Sequence, residues 1–130
     1  MVFKIDGVAY DSVRVTKLKR SFSVLDTTNT GRTLADGRMH RDIIGTYYNY
    51  EIEISVNKDD QSRALYDSLY EILSSPTVSH VLTVPYGQGY KTFDAYITDG
   101  EDELEKMTTS GNDWSGLTLK FIAMEAARTP

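Results

Sequence analysis

The chain has 130 residues, no cysteine and only two histidines, His40 and His80. This length predicts one compact domain, and the missing thiols exclude disulfides, thiolate zinc sites and cysteine nucleophiles. The net charge of −5 argues against general affinity for nucleic acid. No apolar run approaches the ~20 residues of a membrane-spanning helix, and residues 1–10 lack the layout of a signal peptide. We therefore expect a soluble intracellular product without membrane contact.

The charges are unevenly distributed along the chain. Residues 11–41 contain seven basic and three acidic side chains, whereas residues 42–113 contain fourteen acidic and four basic ones. A surface with one basic and one acidic flank can meet copies of itself head to tail. Chance clustering on a solvated surface is the other interpretation.

Alternation of apolar and polar residues predicts strands along most of the chain. Residues 2–5 predict a short strand that ends at the Asp6-Gly7 turn, and residues 8–18 predict a second extended segment. Residues 21–25 either continue that segment or form another strand. Residues 26–38 are rich in Thr, Asn, Asp and Gly and predict a loop, and loops of this length are usually functional.

The most regular pattern lies in residues 41–56. A strand of sixteen residues spans about 50 Å, but a compact domain of this size is less than about 40 Å across. The strand must therefore bend, for which Gly45 is the candidate, or project from the domain. We predict a long hairpin with residues 26–46 as its overhanging tip. Two faces alternate along this strand: Tyr48, Tyr50, Ile52, Ile54 and Val56 on one, and Tyr47, Asn49, Glu51, Glu53 and Ser55 on the other.

One helix is predicted over residues 61–74, because Asp59 and Asp60 suit its start and leucines at positions 65, 69 and 73 form a stripe. Residues 78–84 and 90–98 predict a hairpin around a turn at 85–90. We expect weak structure at best in the acidic segment 99–113, Trp114 as a core anchor, and a last strand over 117–123 before a polar tail at 125–130.

Together these elements predict a mainly β (α+β) fold. Amphipathic strands separated by turn residues fit a sandwich or a partly open barrel, with one α-helix and a long protruding hairpin.

The sequence predicts no catalytic residue, no metal site and no cofactor. The two histidines are far apart, and the acidic run Glu101–Glu103 lacks the ligand spacing of a calcium loop. Gly87-Gln88-Gly89 lacks the third glycine of a dinucleotide site and precedes a strand. Glu51 and Glu53 could serve a small hydrolase only with a second strand, so decoration of a solvated strand is the simpler interpretation. We expect that the protein is not an enzyme.

Nine tyrosines leave one alternative open. Exposed aromatic rings form binding platforms in some proteins, so the chain could be a monomeric β-sandwich module that binds carbohydrate or peptide. Tyr47, Tyr48, Tyr86 and Tyr90 would then form the platform. The other interpretation is that tyrosine is a common strand residue that tolerates a half-buried face.

Several short motifs resemble a family of small tail proteins encoded by phages and prophages of Gram-positive bacteria. The resemblance covers approximately residues 1–124 and implies one tail-tube-like domain over residues 1–130. It implies two packed antiparallel sheets flanked by one helix, in subunits that form hexameric rings around a channel for DNA. The motifs are Arg20–Asp26, Thr30–Leu34, Arg41–Tyr47, Tyr86-Gly87 and Trp114–Thr118.

This resemblance implies a structural component of the virion tail, made in the cytoplasm of the host bacterium. Its partners would be copies of itself and other tail proteins, and DNA would pass without specific binding. A repeated tube subunit and a single-ring distal or baseplate-proximal protein both fit the motifs.

The resemblance and the long hairpin together predict assembly residues. Hairpins of neighbouring subunits could join into a closed barrel, which removes exposed strand edges. Asn49, Glu51 and Glu53 would line the lumen, where negative charge repels the phosphates of DNA. The predicted subunit interface consists of loop residues that would meet acidic groups of the neighbour: Thr30, Gly31, Arg32, Arg38, Arg41 and Asp42.

Overall fold

A computed structural model describes residues 3–28, 30–32 and 37–130. Val2 of the first predicted strand lies outside the described residues. So do residue 29 and residues 33–36 in the middle of the predicted loop, which include Thr33 and Leu34 of one motif. The fold is mostly β, with antiparallel strands that do not close into a barrel, as the sequence predicted.

Ten strands and one helix occupy the described part of the chain. The fifteen-residue helix is too short and too polar to cross a membrane. In chain order the elements are β1 (Lys4–Ile5), β2 (Val8–Ala9), β3 (Arg14–Asp26), β4 (Gly31–Arg32), β5 (Met39–His40), β6 (Ile43–Ser55), α1 (Asp60–Ser74), β7 (His80–Tyr86), β8 (Gly89–Tyr96), β9 (Gly100–Thr108) and β10 (Gly111–Ala123).

Strand β10 connects two halves of an eight-stranded arrangement. One half has the order β2-β1-β7-β8, and the other has the order β3-β6-β10-β9. Residues 111–119 of β10 pair with β9, and residues 117–121 pair with β6 on the other side. The last two residues of β10, Ile122 and Ala123, pair with β8. Strands β4 and β5 form a separate small hairpin.

The two halves share one apolar core. Ile52 and Ile54 of β6 pack in the same cluster as Leu82 and Val84 of β7, and all four are essentially inaccessible to solvent. Alternate residues of a strand point to one face, and β6, β7 and β10 each contribute alternate side chains to this cluster. Burial of apolar surface therefore holds the halves together, as in a sandwich.

Helix α1 covers one end of this core. Asp59 caps its start, because the carboxylate accepts a hydrogen bond from the Ser62 N–H at 2.7 Å. Leu69 and Leu73 of the predicted stripe are buried, and Tyr66, which the stripe did not include, is buried between them and Ser62. Its hydroxyl donates a 2.7 Å hydrogen bond to Asp102 on β9. Burial and this contact raise the pKa of Tyr66.

The expectation of weak structure in residues 99–113 is wrong. Strand β9 occupies Gly100–Thr108 and pairs with β10, which begins at Gly111 rather than near residue 117. Acidic residues have low intrinsic strand propensity, so their run concealed the strand. Pairing with β10 supplies the backbone hydrogen bonds that the local sequence does not specify. Trp114, the predicted core anchor, packs partly buried against the core.

A buried ion pair joins the helix to the start of β10. The Arg63 guanidinium contacts Asp113 at 2.8 Å, and the Asp113 side chain is only 2% exposed. Arg63 also contacts Asp60 at 3.2 Å, but that carboxylate is 92% exposed. The same cation thus has one buried and one solvated partner.

Asp113→Ala should lower the free energy of unfolding by about 3 kcal/mol, because it leaves Arg63 partly buried without its partner. Asp60→Ala removes the exposed partner of the same cation and should cost less than about 0.5 kcal/mol. Urea denaturation measures both values. Equal losses in the two variants would contradict the assignment of the stability to the buried contact.

A second polar contact joins the turn between β1 and β2 to the start of β7. His80 is buried, and its Nδ1 donates to Asp6 at 2.9 Å, while the Val81 N–H donates to the same carboxylate at 2.8 Å. Desolvation raises the pKa of Asp6, but these hydrogen bonds outweigh it and lower the pKa below the ordinary value of 3.8. The sequence analysis placed His80 only within the predicted strand at residues 78–84 and did not pair it with Asp6.

The ionised form of Asp6 is therefore favoured in the folded state. Its contribution to stability should be complete above pH 3.8, the ordinary pKa, and should disappear as the pH falls through the lower folded-state pKa. The stability difference between the wild type and Asp6→Asn, measured by urea denaturation, should shrink across this range. Asp67→Asn, at an exposed position of α1, is the control and should show no such change.

Candidate functional site

The long hairpin is formed by β3 and β6. Each strand has thirteen residues, and twelve of them pair antiparallel, from Arg14 opposite Ser55 to Asp26 opposite Ile43, over about 40 Å. Strand β10 covers β6 only from Tyr50 to Ile54. The hairpin therefore extends past β10 over residues 43–49 of β6 and their partners on β3.

Strand β3 is an edge strand with open backbone groups. It ends the strand order, and among the described residues no strand pairs with its outer side. Its distal half also exposes apolar side chains: Phe22 is 69% exposed, and Val24 and Leu25 are exposed as well. A long edge with exposed apolar residues is a surface to which another chain can add.

The opposite edge of the same half-sheet is β9, and the two edges carry opposite charges. Strand β3 contains Arg14, Lys17, Lys19 and Arg20 with one acid, Asp26. Strand β9 contains four acids and one lysine within GEDELEKMT. Among the described residues β9 pairs only with β10, so its other side is also open.

The predicted lumen residues lie on the solvent face of this half-sheet. Glu51 and Glu53 are half-buried, and lysines stand opposite them in register: Lys19 and Lys120 beside Glu51, and Lys17 beside Glu53. This face therefore carries mixed charge, whereas the two glutamates alone predicted a negative one. Asn49 lies near the end of β10, where its side-chain oxygen accepts a hydrogen bond from the Ala123 N–H at 3.1 Å.

Most of the predicted interface residues make contacts within their own loop. Arg41 forms a two-point contact with Asp26, at 3.1 and 2.8 Å, which raises the pKa of Arg41. Asp42 accepts from the Thr27 hydroxyl at 2.6 Å, and its N–H donates to the Thr30 hydroxyl at 2.7 Å. These contacts close the base of the loop at the end of the hairpin.

The remaining predicted interface residues lie in the loop beyond its base. Gly31 and Arg32 form β4, and the Arg32 guanidinium donates to the Gly37 carbonyl at 3.0 Å, next to Arg38. The structure thus gathers the predicted set at one end of the hairpin. Their role between subunits stays a prediction.

The predicted polar tail packs against the hairpin. The Thr46 N–H donates to the Arg128 carbonyl at 2.9 Å, and the Ala127 N–H donates to the Thr46 carbonyl at 2.9 Å. A Cβ atom on Gly45 would lie 2.5 Å from the Arg128 carbonyl oxygen and 2.7 Å from the Ala126 Cβ. Gly45 thus permits close approach of the C-terminal segment (residues 124–128).

The predicted tyrosine platform does not form as one surface. Tyr48 and Tyr86 meet edge to face with ring centres 5.3 Å apart, but Tyr47 adjoins Tyr48 in β6 and points to the opposite face. Tyr90 is 53% exposed on β8. The hydrogen bond between Tyr48 and Tyr86 lowers the pKa of Tyr48 and raises that of Tyr86.

Three cations surround the Tyr48–Tyr86 pair. The Arg20 guanidinium lies 5.5 Å from the centre of the Tyr86 ring, and the Lys91 ammonium lies 5.0 and 4.9 Å from the two ring centres. Arg128 lies near the Tyr48 hydroxyl and contributes to the lowered pKa of Tyr48. Sequence analysis missed this cluster because its members come from β3, β6, β7, β8 and the C-terminal segment, and no local spacing connects them.

Nothing in the described residues resembles a metal centre, since no group of three or more His, Asp or Glu side chains lies close enough to hold an ion. The side chain of Glu53 accepts a 2.9 Å hydrogen bond from Thr16 on β3. The Glu51–Glu53 pair is thus held among lysines and a threonine on the solvent face of the sheet. Glu51 also lines a pocket of about 400 Å³ together with Glu101 and Lys120.

Comparisons with known proteins give a weak likeness to solved structures. No protein-family model matches the chain, and no curated protein matches it. The crystal structure of the SPP1 Dit (gp 19.1) protein, described as a paradigm of the hub adsorption apparatus in phages that infect Gram-positive bacteria, is similar with a TM-score of 0.45 and 17% identity. The alignment covers 95% of this chain and 50% of that one, so this chain spans half the length of its neighbour. A likeness of this degree assigns neither a function nor an assembly to the chain.

Gly45→Ala should displace the C-terminal segment from the hairpin, because the added methyl group meets backbone at Arg128. The expected cost is about 2 kcal/mol in the free energy of unfolding, and the amide of Thr46 should exchange faster with solvent. Gly89→Ala is the matched control, since a Cβ there would meet nothing within 4 Å. Unchanged exchange at Thr46 in Gly45→Ala would contradict the packing role of the glycine.

Proposed function

We propose that the protein is a non-enzymatic structural component of a long-tailed phage or prophage tail, which assembles with copies of itself. The observation that supports this most strongly is the half-sheet β3-β6-β10-β9, whose two edges are both open and carry opposite charge. The family resemblance of the sequence motifs supports the virion as the location, after synthesis in the host cytoplasm.

The proposed contact joins β3 of one subunit to β9 of the next. Backbone hydrogen bonds would satisfy both open edges, and the nine residues of β9 can cover most of the thirteen residues of β3. Because the two edges differ, the contact is head to tail. Repetition of this contact forms a ring when the rotation between successive subunits divides a full turn evenly. The ring would be hexameric, as the resemblance implies.

Side chains on the solvent face fit this arrangement. Lys17 and Lys19 share the solvent face of β3 with their partners Glu53 and Glu51. On β9, Glu101 lies opposite Thr118 on the same face, and Glu103 follows by alternation. In a continuous sheet these lysines would stand beside the glutamates of the neighbour, and such cross-strand ion pairs are favourable.

The same solvent face would line the channel. Asn49, Glu51 and Glu53 would face the lumen together with Lys17, Lys19 and Lys120, and DNA would pass without specific binding. Such a surface offers carboxylates next to every lysine, so it provides no continuous basic track for phosphates. The exposed Phe22 and Leu25 and the loop at the end of the hairpin would contact the neighbouring subunit or other tail proteins, in a tube or in a single distal ring.

The alternative of a carbohydrate-binding module has less support. Stacking of a sugar needs an open ring face, but Tyr48 and Tyr86 pack edge to face and are flanked by Lys91 and Arg20. Tyr47 and Tyr90 lie apart from this pair. The rings are therefore better placed to hold cations than to hold a sugar.

A charge-swap series tests the edge contact. The wild type should form larger species with rising concentration and falling salt, measured by size-exclusion chromatography with light scattering, and rings with a central channel should appear by negative-stain electron microscopy. The double variant Lys17→Glu with Lys19→Glu should remain monomeric. Adding Glu101→Lys and Glu103→Lys to the same chain should restore assembly, because the edges again have opposite charge.

Lys120→Glu is the matched control for this series. It reverses a charge on the same face opposite Glu51, but in the central strand β10 rather than at an edge. Assembly should persist in this variant. A wild type that stays monomeric at all concentrations, or a quadruple variant that fails to recover, would contradict the proposal. The virion role further expects a gene for a very long tape-measure protein beside this one.

A further inference from the structure

A groove of about 520 Å³ lies between the distal part of β3 and the Tyr48–Tyr86 pair. Strands β3, β6 and β7 and the C-terminal segment all contribute to its walls. The side chains that matter for binding are Arg20, Phe22, Val24, Tyr48, Tyr86 and Arg128. No carboxylate lines this groove.

The groove is positively charged because its cations have no carboxylate partners. In the described part of the chain, no ion pair within 4 Å involves Arg20 or Arg128. The Thr46 N–H donates to the Arg128 carbonyl and thereby fixes the backbone of Arg128, and packing against Tyr86 orients Arg20. Both arginines line the groove and can bind an anion there.

The groove also has an apolar wall. Phe22 and Val24 stand opposite Tyr48 and Thr46 on the same face of the hairpin as Arg20. Alternate residues of a strand are about 6.8 Å apart, so Arg20, Phe22 and Val24 form a row of about 14 Å. An extended peptide repeats its side chains at the same interval.

We propose that this groove binds an acidic, extended peptide segment of a partner protein. One carboxylate of the segment lies between Arg20 and Arg128, and the apolar side chains next to it pack on Phe22 and Val24. Guanidinium groups bind carboxylates through charge-assisted, two-point hydrogen bonds, which accounts for an acidic rather than a neutral ligand.

A peptide fits these features better than a nucleic acid. The net charge of −5 repels a polyanion at longer range. The row of Phe22 and Val24 offers apolar contact where a sugar-phosphate backbone would need further cations. This proposal does not depend on ring assembly, because the groove is complete within one subunit.

The test uses the full chain and a synthetic probe, an acetylated and amidated pentapeptide with glutamate at position 1, valine at positions 3 and 5 and serine at positions 2 and 4, so that the glutamate and both valines share one face. Isothermal titration calorimetry should show binding that weakens with salt. Arg20→Gln and Arg128→Gln should each weaken it about tenfold, as expected for the loss of one charge-assisted contact. Arg128 lies in the exposed C-terminal segment, so its substitution keeps the test valid if Arg20→Gln disturbs the hairpin.

Two controls separate this groove from general attraction. Arg14→Gln removes a cation at the far end of β3 and should leave the affinity unchanged. A probe with glutamine in place of glutamate should bind about tenfold more weakly or not at all. Absence of binding, equal loss in Arg14→Gln, or equal affinity of the glutamine probe would overturn the proposal.

A short oligothymidylate distinguishes the other class of ligand. If it binds more tightly than the peptide and loses affinity in the same two arginine variants, the groove is a nucleic-acid site and the peptide proposal is wrong. The double variant Lys17→Glu with Lys19→Glu should bind the peptide as the wild type does. Loss of assembly with retained peptide binding therefore separates the two proposals.

Discussion

The structure depends on the pairing of β10 with three other strands. Its central residues pair with β6, its first half pairs with β9, and its last two residues pair with β8. Leu117, Leu119 and Phe121 project from it into the shared core. Among the described strands, β10 is the one that pairs with strands of both halves, so its register sets both where β6 leaves the core and where the half-sheet ends at β9.

The hairpin gains its position from the end of the chain as well as from its own pairing. From Asn49 towards its first residue, β6 no longer pairs with the backbone of β10, and the C-terminal segment pairs with it at Thr46. That segment also brings Arg128 to Tyr48. The C-terminal segment thus both positions the hairpin and supplies a charge to the groove. The sequence analysis predicted only a polar tail for these residues.

The sequence predicted the elements whose patterns are local. Alternation in residues 41–56 gave β6, and the leucines of residues 65–73 gave α1, because burial on one face imposes a period that a single segment shows. Strand β9 was missed because its acidic side chains are tolerated only through pairing with β10. The contacts of Asp6 with His80, and of Arg20 with Tyr86, join residues more than sixty positions apart and leave no local trace.

The open edges of the half-sheet have a consequence beyond the proposed assembly into rings. A head-to-tail contact has no intrinsic stop, and only the angle between successive copies decides whether it closes or continues as a filament. Thr16 of β3 has no partner between the pairs of Val15 and Lys17 with β6, and such a bulge increases the local twist of the strand and would affect this angle. In the proposed assembly, a substitution that flattens the bulge would convert closed rings into fibres without changing the fold of a single subunit.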